Sequence, residues 1–158
     1  MSIQVGDKIP SATLKTMGAE GPANITTDEI FAGKKVVLFA VPGAFTPTCD
    51  VAHLPGFVVN APDIKAKGVD TIACMSVNDV FVMNAWGKSQ NAEEILMLAD
   101  GNAELTKAMG LELDASGFGM GTRCKRFAMI VNDGVVELLN IDTKEFGGSS
   151  AETVMAAL

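Results

Sequence analysis

The chain is short of the residues on which many functional classes depend. It has one histidine, His53, and three cysteines, at positions 49, 74 and 124, with no C-x-x-C pair among them. No common zinc site can be built from so few ligands, and no metal is expected. Cysteines this far apart also exclude the disulfide framework of a small secreted protein, so a reducing cytoplasm is the expected location. Only 12 basic residues stand against 19 acidic ones, for a net charge of −7. With no long basic stretch, neither nucleic acid nor an anionic membrane is expected as a partner. No apolar run approaches the roughly 18–20 residues that a membrane-spanning helix needs. The opening Met1-Ser2-Ile3-Gln4-Val5-Gly6-Asp7 has neither the basic region nor the apolar core of a signal peptide. What is present, 158 residues of which 48% are hydrophobic, suits one soluble domain over 1–158 with a substantial core.

Periodicity and punctuation divide the chain. Residues 3–30 mix turn formers with short apolar pieces and predict a strand or hairpin. Thr26-Thr27-Asp28-Glu29 then caps one helical turn ending at Gly33. Val36 to Ala40 is apolar throughout and reads as a buried strand, as do Val69 to Val77 and Ile95 to Ala99. Helices are expected after position 46, over Val80 to Lys88 behind a cap at Asn78 or Asp79, and over Ala103 to Met109. Pro55 should kink or end the first of these, and Pro62 should break the pattern again before Ile64 to Lys67 resumes it. Residues 115–122 hold three glycines and read as a loop. Arg126 to Val131 and Val135 to Ile141 flank Asn132-Asp133-Gly134, a hairpin signal, and Ala151 to Leu158 closes the chain as a helix. Strands alternating with helices imply an α/β fold, a mixed central sheet with helices on both faces.

The stretch Val41 to Gly56 carries the chemistry. Thr46 is placed to cap a helix with its hydroxyl, and Pro47 suits the first helical position because its missing N–H would have had no partner there. Thr48 and Cys49 follow, with N–H groups pointing outward at the positive end of the helix dipole. A cysteine in that turn is favoured as the thiolate, the nucleophilic form. The bland alternative is a small buried apolar residue, but the start of a helix just after a central strand is a poor place to hide one.

These residues resemble a known family. Pro42-x-x-x-Thr46-x-x-Cys49 is similar to the peroxidatic motif of the peroxiredoxins. The fuller P-G-A-F-T-P-T-C, followed by His53-Leu54-Pro55-Gly56-Phe57, resembles their type II (atypical, fifth) class. Ser76-Val77-Asn78-Asp79, Ala85-Trp86-Gly87 and Lys125-Arg126-Phe127 match the same class, and the resemblance runs from about Ile3 to Leu158. It implies a thioredoxin-like fold and a thiol peroxidase that reduces hydrogen peroxide and alkyl hydroperoxides with no bound cofactor. It further implies a homodimer, and Phe45 and Phe81 are apolar residues suited to a twofold contact.

Such an enzyme must suppress the cysteine pKa, orient two oxygens and stabilise charge on the leaving one. Cys49 is the expected nucleophile, Thr46 and the Thr48 and Cys49 N–H groups the donors, and Pro42 the shield against water. The resemblance carries Pro42, Thr46 and Cys49 over as site residues. It also takes Arg126, the arginine before the aromatic residue, into the site, and gives Arg123 a supporting role. Strand alternation is expected to put Cys124 and Arg126 on one face and Arg123 with Lys125 on the other. His53, four residues after Cys49, suggests a Cys–His nucleophile, but it lacks an orienting partner in sequence, and a packing or weak electrostatic role is expected. Trp86 and the phenylalanines at 39, 45, 57, 81, 118 and 127 should form core or pocket wall, with Phe118 and Met120 as an apolar rim.

Two other readings compete with a peroxidase. A disulfide oxidoreductase wants C-x-x-C, but Thr46 holds the position three before Cys49. A thioredoxin-fold redox sensor or binding protein would need no convergence of Thr and Arg on one sulfur. The sulfenic acid that peroxide leaves on Cys49 must be resolved by a thiol. In plant-type members of the class a cysteine spaced as Cys74 is resolves it. Glutathione, glutaredoxin or thioredoxin from a separate molecule is the alternative, and Cys124 comes third.

Overall fold

Alternation of side chains along the central strands sets the architecture, seen in a computed structural model that describes residues 2–158. Val37, Phe39, Ile72, Cys74, Ala128 and Ile130 face one side of a seven-stranded sheet; Val36, Leu38, Ala73, Met75, Phe127 and Met129 face the other. Both sets are buried, so these strands read as unbroken apolar runs.

In chain order, β1 (Thr13–Gly18) and β2 (Gly21–Thr26) form a hairpin, as expected. Helix α1 (Thr27–Phe31) starts on a reciprocal cap: the Thr26 hydroxyl accepts from Glu29 N, and the Glu29 carboxylate accepts from Thr26 N. Then come β3 (Lys35–Ala40), α2 (Leu54–Ala66), β4 (Thr71–Ser76), α3 (Val80–Ser89) capped by Asp79, β5 (Leu96–Ala99) and α4 (Glu104–Ala108). A small ribbon of β6 (Glu112–Asp114) and β7 (Thr122–Cys124) precedes the hairpin of β8 (Arg126–Asn132) and β9 (Val135–Asp142), and α5 (Ala151–Ala156) ends the order. The sheet runs β2-β1-β5-β4-β3-β8-β9, with β3, β4 and β5 parallel and the remaining pairs antiparallel. Residues of α2, α3 and α5 bury against one face and residues of α1 and α4 against the other, which is the expected mixed α/β arrangement. No helix among the described residues is long and apolar enough to cross a membrane.

One expectation from sequence needs correction. The helix after Cys49 neither ends at Pro55 nor breaks at Pro62; α2 runs through both. A π turn, Cys49–His53, comes just before it, closed by Leu54 N donating to Cys49 O. A proline cannot donate to the carbonyl four residues back and its ring collides with it; the wider turn admits the ring without stopping the helix. The glycine-rich segment is a loop as expected, closed at its base by the pairing of β6 with β7 and carrying a single tight turn at Ser116–Phe118.

The topology also fixes where chemistry can occur. Phe127 pairs with Ala40, so Arg126 stands beside the carboxyl end of β3, where the helix with Cys49 begins. Parallel β4 ends at the same edge, the usual ligand edge of such sheets.

Candidate active site

Between β3 and the helix the chain makes a tight, pinned loop. Val41 N donates to Met75 O at 3.1 Å, and Ala44 N to Asn78 Oδ1 at 3.0 Å. The Ser76 hydroxyl donates to the same Asn78 oxygen at 2.6 Å, so Ser76-Val77-Asn78-Asp79 braces the loop and caps α3. Phe45 sits at φ 64°, a left-handed conformation costly for an aromatic residue and held by these contacts. Gly43 has no room for a side chain: a Cβ would lie 3.0 Å from Thr46 Cγ2 and 3.2 Å from Met120 Cε.

Thr46 O accepts from Asp50 N at 2.8 Å, which starts the helix at Pro47 as expected. The Thr46 hydroxyl, however, donates to Gly43 O at 2.6 Å instead of capping the first turn. Its donor is thereby occupied, and its lone pairs remain to accept.

Cys49 is buried, and Arg126 Nη2 donates to its sulfur at 3.0 Å. Arg126 Nη1 donates to His53 Nδ1 at 2.7 Å. A guanidinium only donates, so Nδ1 is the acceptor and the ring proton is on Nε2, which donates to Ser149 O at 2.9 Å. Burial, and then the Arg126 charge, hold the His53 pKa down at about 3, so the ring is neutral. It packs against Phe39 and Phe57, themselves stacked 4.0 Å apart, and meets the edge of Phe146. Sequence reading gave His53 only packing or weak electrostatics. Its place one turn from Cys49 was the available signal; its partner, a carbonyl 96 positions away, left none.

Pro42, Thr48, Leu113, Lys125, Arg126 and Phe146 are among the residues lining a cleft of about 280 Å³. A larger groove, about 500 Å³, lies between α3 and β5, but no cysteine, histidine or arginine lines it, so size does not mark the site. Arg123 uses its donors on backbone carbonyls: Nε donates to Met120 O at 2.9 Å and Nη1 to Val77 O at 3.1 Å, tying the glycine-rich segment to the end of β4. Met120 approaches Gly43, but Phe118 is 86% exposed and lines no wall. Phe45 and Phe81 are likewise exposed, at 51% and 64%, whereas Phe39, Phe57, Phe127 and Trp86 are buried.

The other two cysteines differ in place. Cys74, on β4, shares one core cluster with Cys49, and its pKa lies well above the ordinary value because of burial and then the nearby Cys49. Cys124 belongs to the cluster on the opposite face, and burial pushes it up to about 12. The expectation that Cys124 and Arg126 share a face fails because Lys125 interrupts the strand. Its N–H donates to Leu111 O, β7 pairs with β6, and β8 starts afresh in the main sheet.

The chain is similar to known proteins over nearly its whole length. Residues 4–155 match the family model described as Redoxin. The chain is 51% identical to "Peroxiredoxin-2E-2, chloroplastic" of Oryza sativa subsp. japonica, across 99% of this chain and 73% of that protein. It is 42% identical to "Hybrid peroxiredoxin hyPrx5" of Haemophilus influenzae, covering 100% of this chain and 67% of that one. The solved structure "reduced Prx3 in complex with h2o2" from Vibrio vulnificus superposes with a TM-score of 0.95 at 60% identity, over 98% of each chain. The thioredoxin-like fold, the family match and these relatives together make the chain a member of the Redoxin family and, within it, a type II peroxiredoxin, a thiol peroxidase.

Proposed function

We propose that Cys49 is the peroxidatic nucleophile, with Arg126, Thr46 and Pro42 completing its site and Thr48 and Arg123 supporting it. The observation that carries this reading is the 3.0 Å contact between Arg126 Nη2 and a buried sulfur in the first turns of a helix. The Cys49 thiolate attacks one oxygen of a hydroperoxide, an S–O bond forms as the O–O bond breaks, and the other oxygen leaves as hydroxide or alkoxide and takes up a proton. Arg126 opposes the negative charge as it passes from sulfur to the leaving oxygen. The Thr46 hydroxyl accepts from the peroxide O–H, and first-turn N–H groups near Thr48 and Cys49 face the same side. Pro42 walls the cleft, and Arg123 holds the segment behind Gly43.

The substrates of this reading are hydrogen peroxide and alkyl hydroperoxides. The sulfenic acid on Cys49 condenses with a thiol, releasing water. Cys74 is the first candidate, because it shares the Cys49 side of the sheet; glutathione, glutaredoxin or thioredoxin is the external reductant. Cys124 is third, and its place on the opposite face argues against it. A Cys49–Cys74 bond requires the helix start to unwind, since both sulfurs are buried on separate elements. We further propose one domain over 1–158, a homodimer built on the exposed Phe45 and Phe81, and a cytoplasmic location, although some relatives are named chloroplastic.

The test pairs peroxide consumption, driven in turn by glutathione with glutaredoxin and by thioredoxin, with insulin reduction. Peroxide turnover without insulin reduction is expected; insulin reduction without peroxide turnover would overturn the reading. Peptide mapping without reductant then assigns the resolving thiol, and sedimentation at micromolar concentration decides the dimer. A single species near 16.5 kDa would refute it.

A further inference from the structure

The carboxylate of Asp142, at the end of β9, gathers donors from one short segment. Oδ2 accepts from Gly147 N at 3.1 Å, Ser149 N at 3.0 Å and the Ser149 hydroxyl at 2.5 Å, while Oδ1 accepts from Gly148 N at 3.0 Å. Burial alone would raise its pKa, but these bonds, the Ser149 hydroxyl first, hold it below the usual carboxylate value. The acceptor is therefore ionised near neutral pH. Asn140 Nδ2 holds the segment from the same strand, donating to Gly148 O at 2.9 Å.

The segment fixed in this way presents one carbonyl inward, Ser149 O, to the ring proton of His53. It also lays Phe146 against that ring, at 5.0 Å and edge-on, with the Arg126 guanidinium 5.8 Å from the Phe146 centroid. His53 has two tautomers, and the carbonyl selects between them. With the proton on Nε2, the Nδ1 lone pair is free to take the Arg126 N–H. With the proton on Nδ1, two donors would face each other and Ser149 O would lose its partner.

We propose that Asp142 is a positioning residue for the peroxidatic site, acting through Ser149 O and the His53 tautomer to hold Arg126 on Cys49. A staple that merely fastened the last loop would need no carbonyl turned onto a buried imidazole. Here an inward carbonyl of the segment meets the ring whose other nitrogen accepts from Arg126. The relay runs from carboxylate to loop N–H groups, from loop carbonyl to Nε2–H, and from Nδ1 to guanidinium; no proton is transferred along it. It rests on the reading of Cys49 and Arg126 given above.

His53 is the single histidine, so a ring-nitrogen NMR spectrum of the full chain reports its tautomer without ambiguity. The wild-type protein should show Nε2 protonated and Nδ1 bare. Asp142→Ala should mix the tautomers and slow Cys49 oxidation by hydrogen peroxide about tenfold or more, as loss of an orienting outer partner does elsewhere. Asp142→Asn, which keeps one acceptor oxygen and the same shape, should lose less, and serves if the alanine variant does not fold. In a His53→Ala background, Asp142→Ala should add less than about twofold, because the two act in series. An unchanged tautomer in both Asp142 variants, or an equal loss with and without His53, overturns the proposal. If Cys49→Ser still reduces peroxide, the site assignment has failed instead, and the ring spectrum still decides whether Asp142 sets the tautomer.

Discussion

Arg126 Nη2 lies 3.0 Å from Cys49 Sγ, although 77 positions separate the two in the chain. The meeting is a product of strand direction. β3 delivers its carboxyl end to the helix bearing Cys49, and antiparallel β8 begins with Arg126 at that same end. Only one orientation of the hairpin does this. A β8 parallel to β3 would start at the far edge of the sheet, several strand residues away.

Replacing Cys49 by serine should abolish peroxide reduction, since among the described residues the Cys49 sulfur is the one that accepts a hydrogen bond from Arg126. Cys74→Ser and Cys124→Ser should each leave the first oxidation intact. Rapid mixing with hydrogen peroxide, followed by mass detection of the sulfenic acid, measures the step; fast oxidation of the Cys49→Ser protein would sink the mechanism.

Arg126→Ala should slow that step more than tenfold, about 1.4 kcal/mol or more of transition-state stabilisation. Arg123→Ala should do less, because its guanidinium is spent on Met120 O and Val77 O. Stopped-flow rates of the two variants at equal peroxide make the comparison. A larger loss from Arg123→Ala would show that the two arginines have exchanged tasks.

The neutral His53 ring gives stability a pH dependence of definite sign. Its folded pKa is about 3 against an ordinary 6.5, so between those values the unfolded chain binds a proton that the folded chain refuses. Stability contributed by the neutral ring is therefore complete above about 6.5 and is lost as pH falls toward 3, with a slope of at most about 1.4 kcal/mol per pH unit. His53→Gln should flatten the fall between pH 7 and pH 4. Urea midpoints for both proteins across that range test it, and parallel curves would mean that His53 is not the group responsible.

Asp50 pins the helix start to α3. Its carboxylate accepts from Trp86 Nε1 and from Gln90 Nε2, each at 2.8 Å. Asp50→Ala should weaken that anchor, let the first turns open more often and speed Cys49–Cys74 disulfide formation after one equivalent of peroxide. Trp86 is the single tryptophan, so its fluorescence reports the opening directly. A disulfide rate unchanged in the variant would show that the helix start does not gate resolution.

Much of this was legible in the sequence, and the parts that were not share a cause. Residues 36–40, 72–75 and 127–131 declare themselves by unbroken apolar runs, and Pro47 marks the helix start one residue after Thr46. Cys49 and Arg126 could be singled out, the first by its place in the helix and the second by resemblance. The His53 hydrogen bond to Ser149 O could not, because a backbone carbonyl has no sequence signature. The hydroxyl of Thr46 was misjudged because donating to Gly43 O competes with capping, and local residue types do not decide between them. The face of Cys124 was misjudged because period-two alternation holds only while pairing is continuous, and it stops at Lys125.

The π turn has a consequence for how insertions and deletions would be tolerated. Such a turn is an α-helix with one residue too many, and each residue in a regular helix advances the side chains by about 100°. Below it, Leu54, Phe57, Ala61 and Ile64 are locked into the core, so α2 cannot rotate to absorb a change. The wider turn takes up its additional residue without rotating what lies on either side, so Cys49 stays beside Arg126 while α2 stays seated in the core. A one-residue change at exposed Val51 would therefore be carried by the turn itself, whereas the same change inside α2 would turn every residue beyond it by about 100° and pull the core apart.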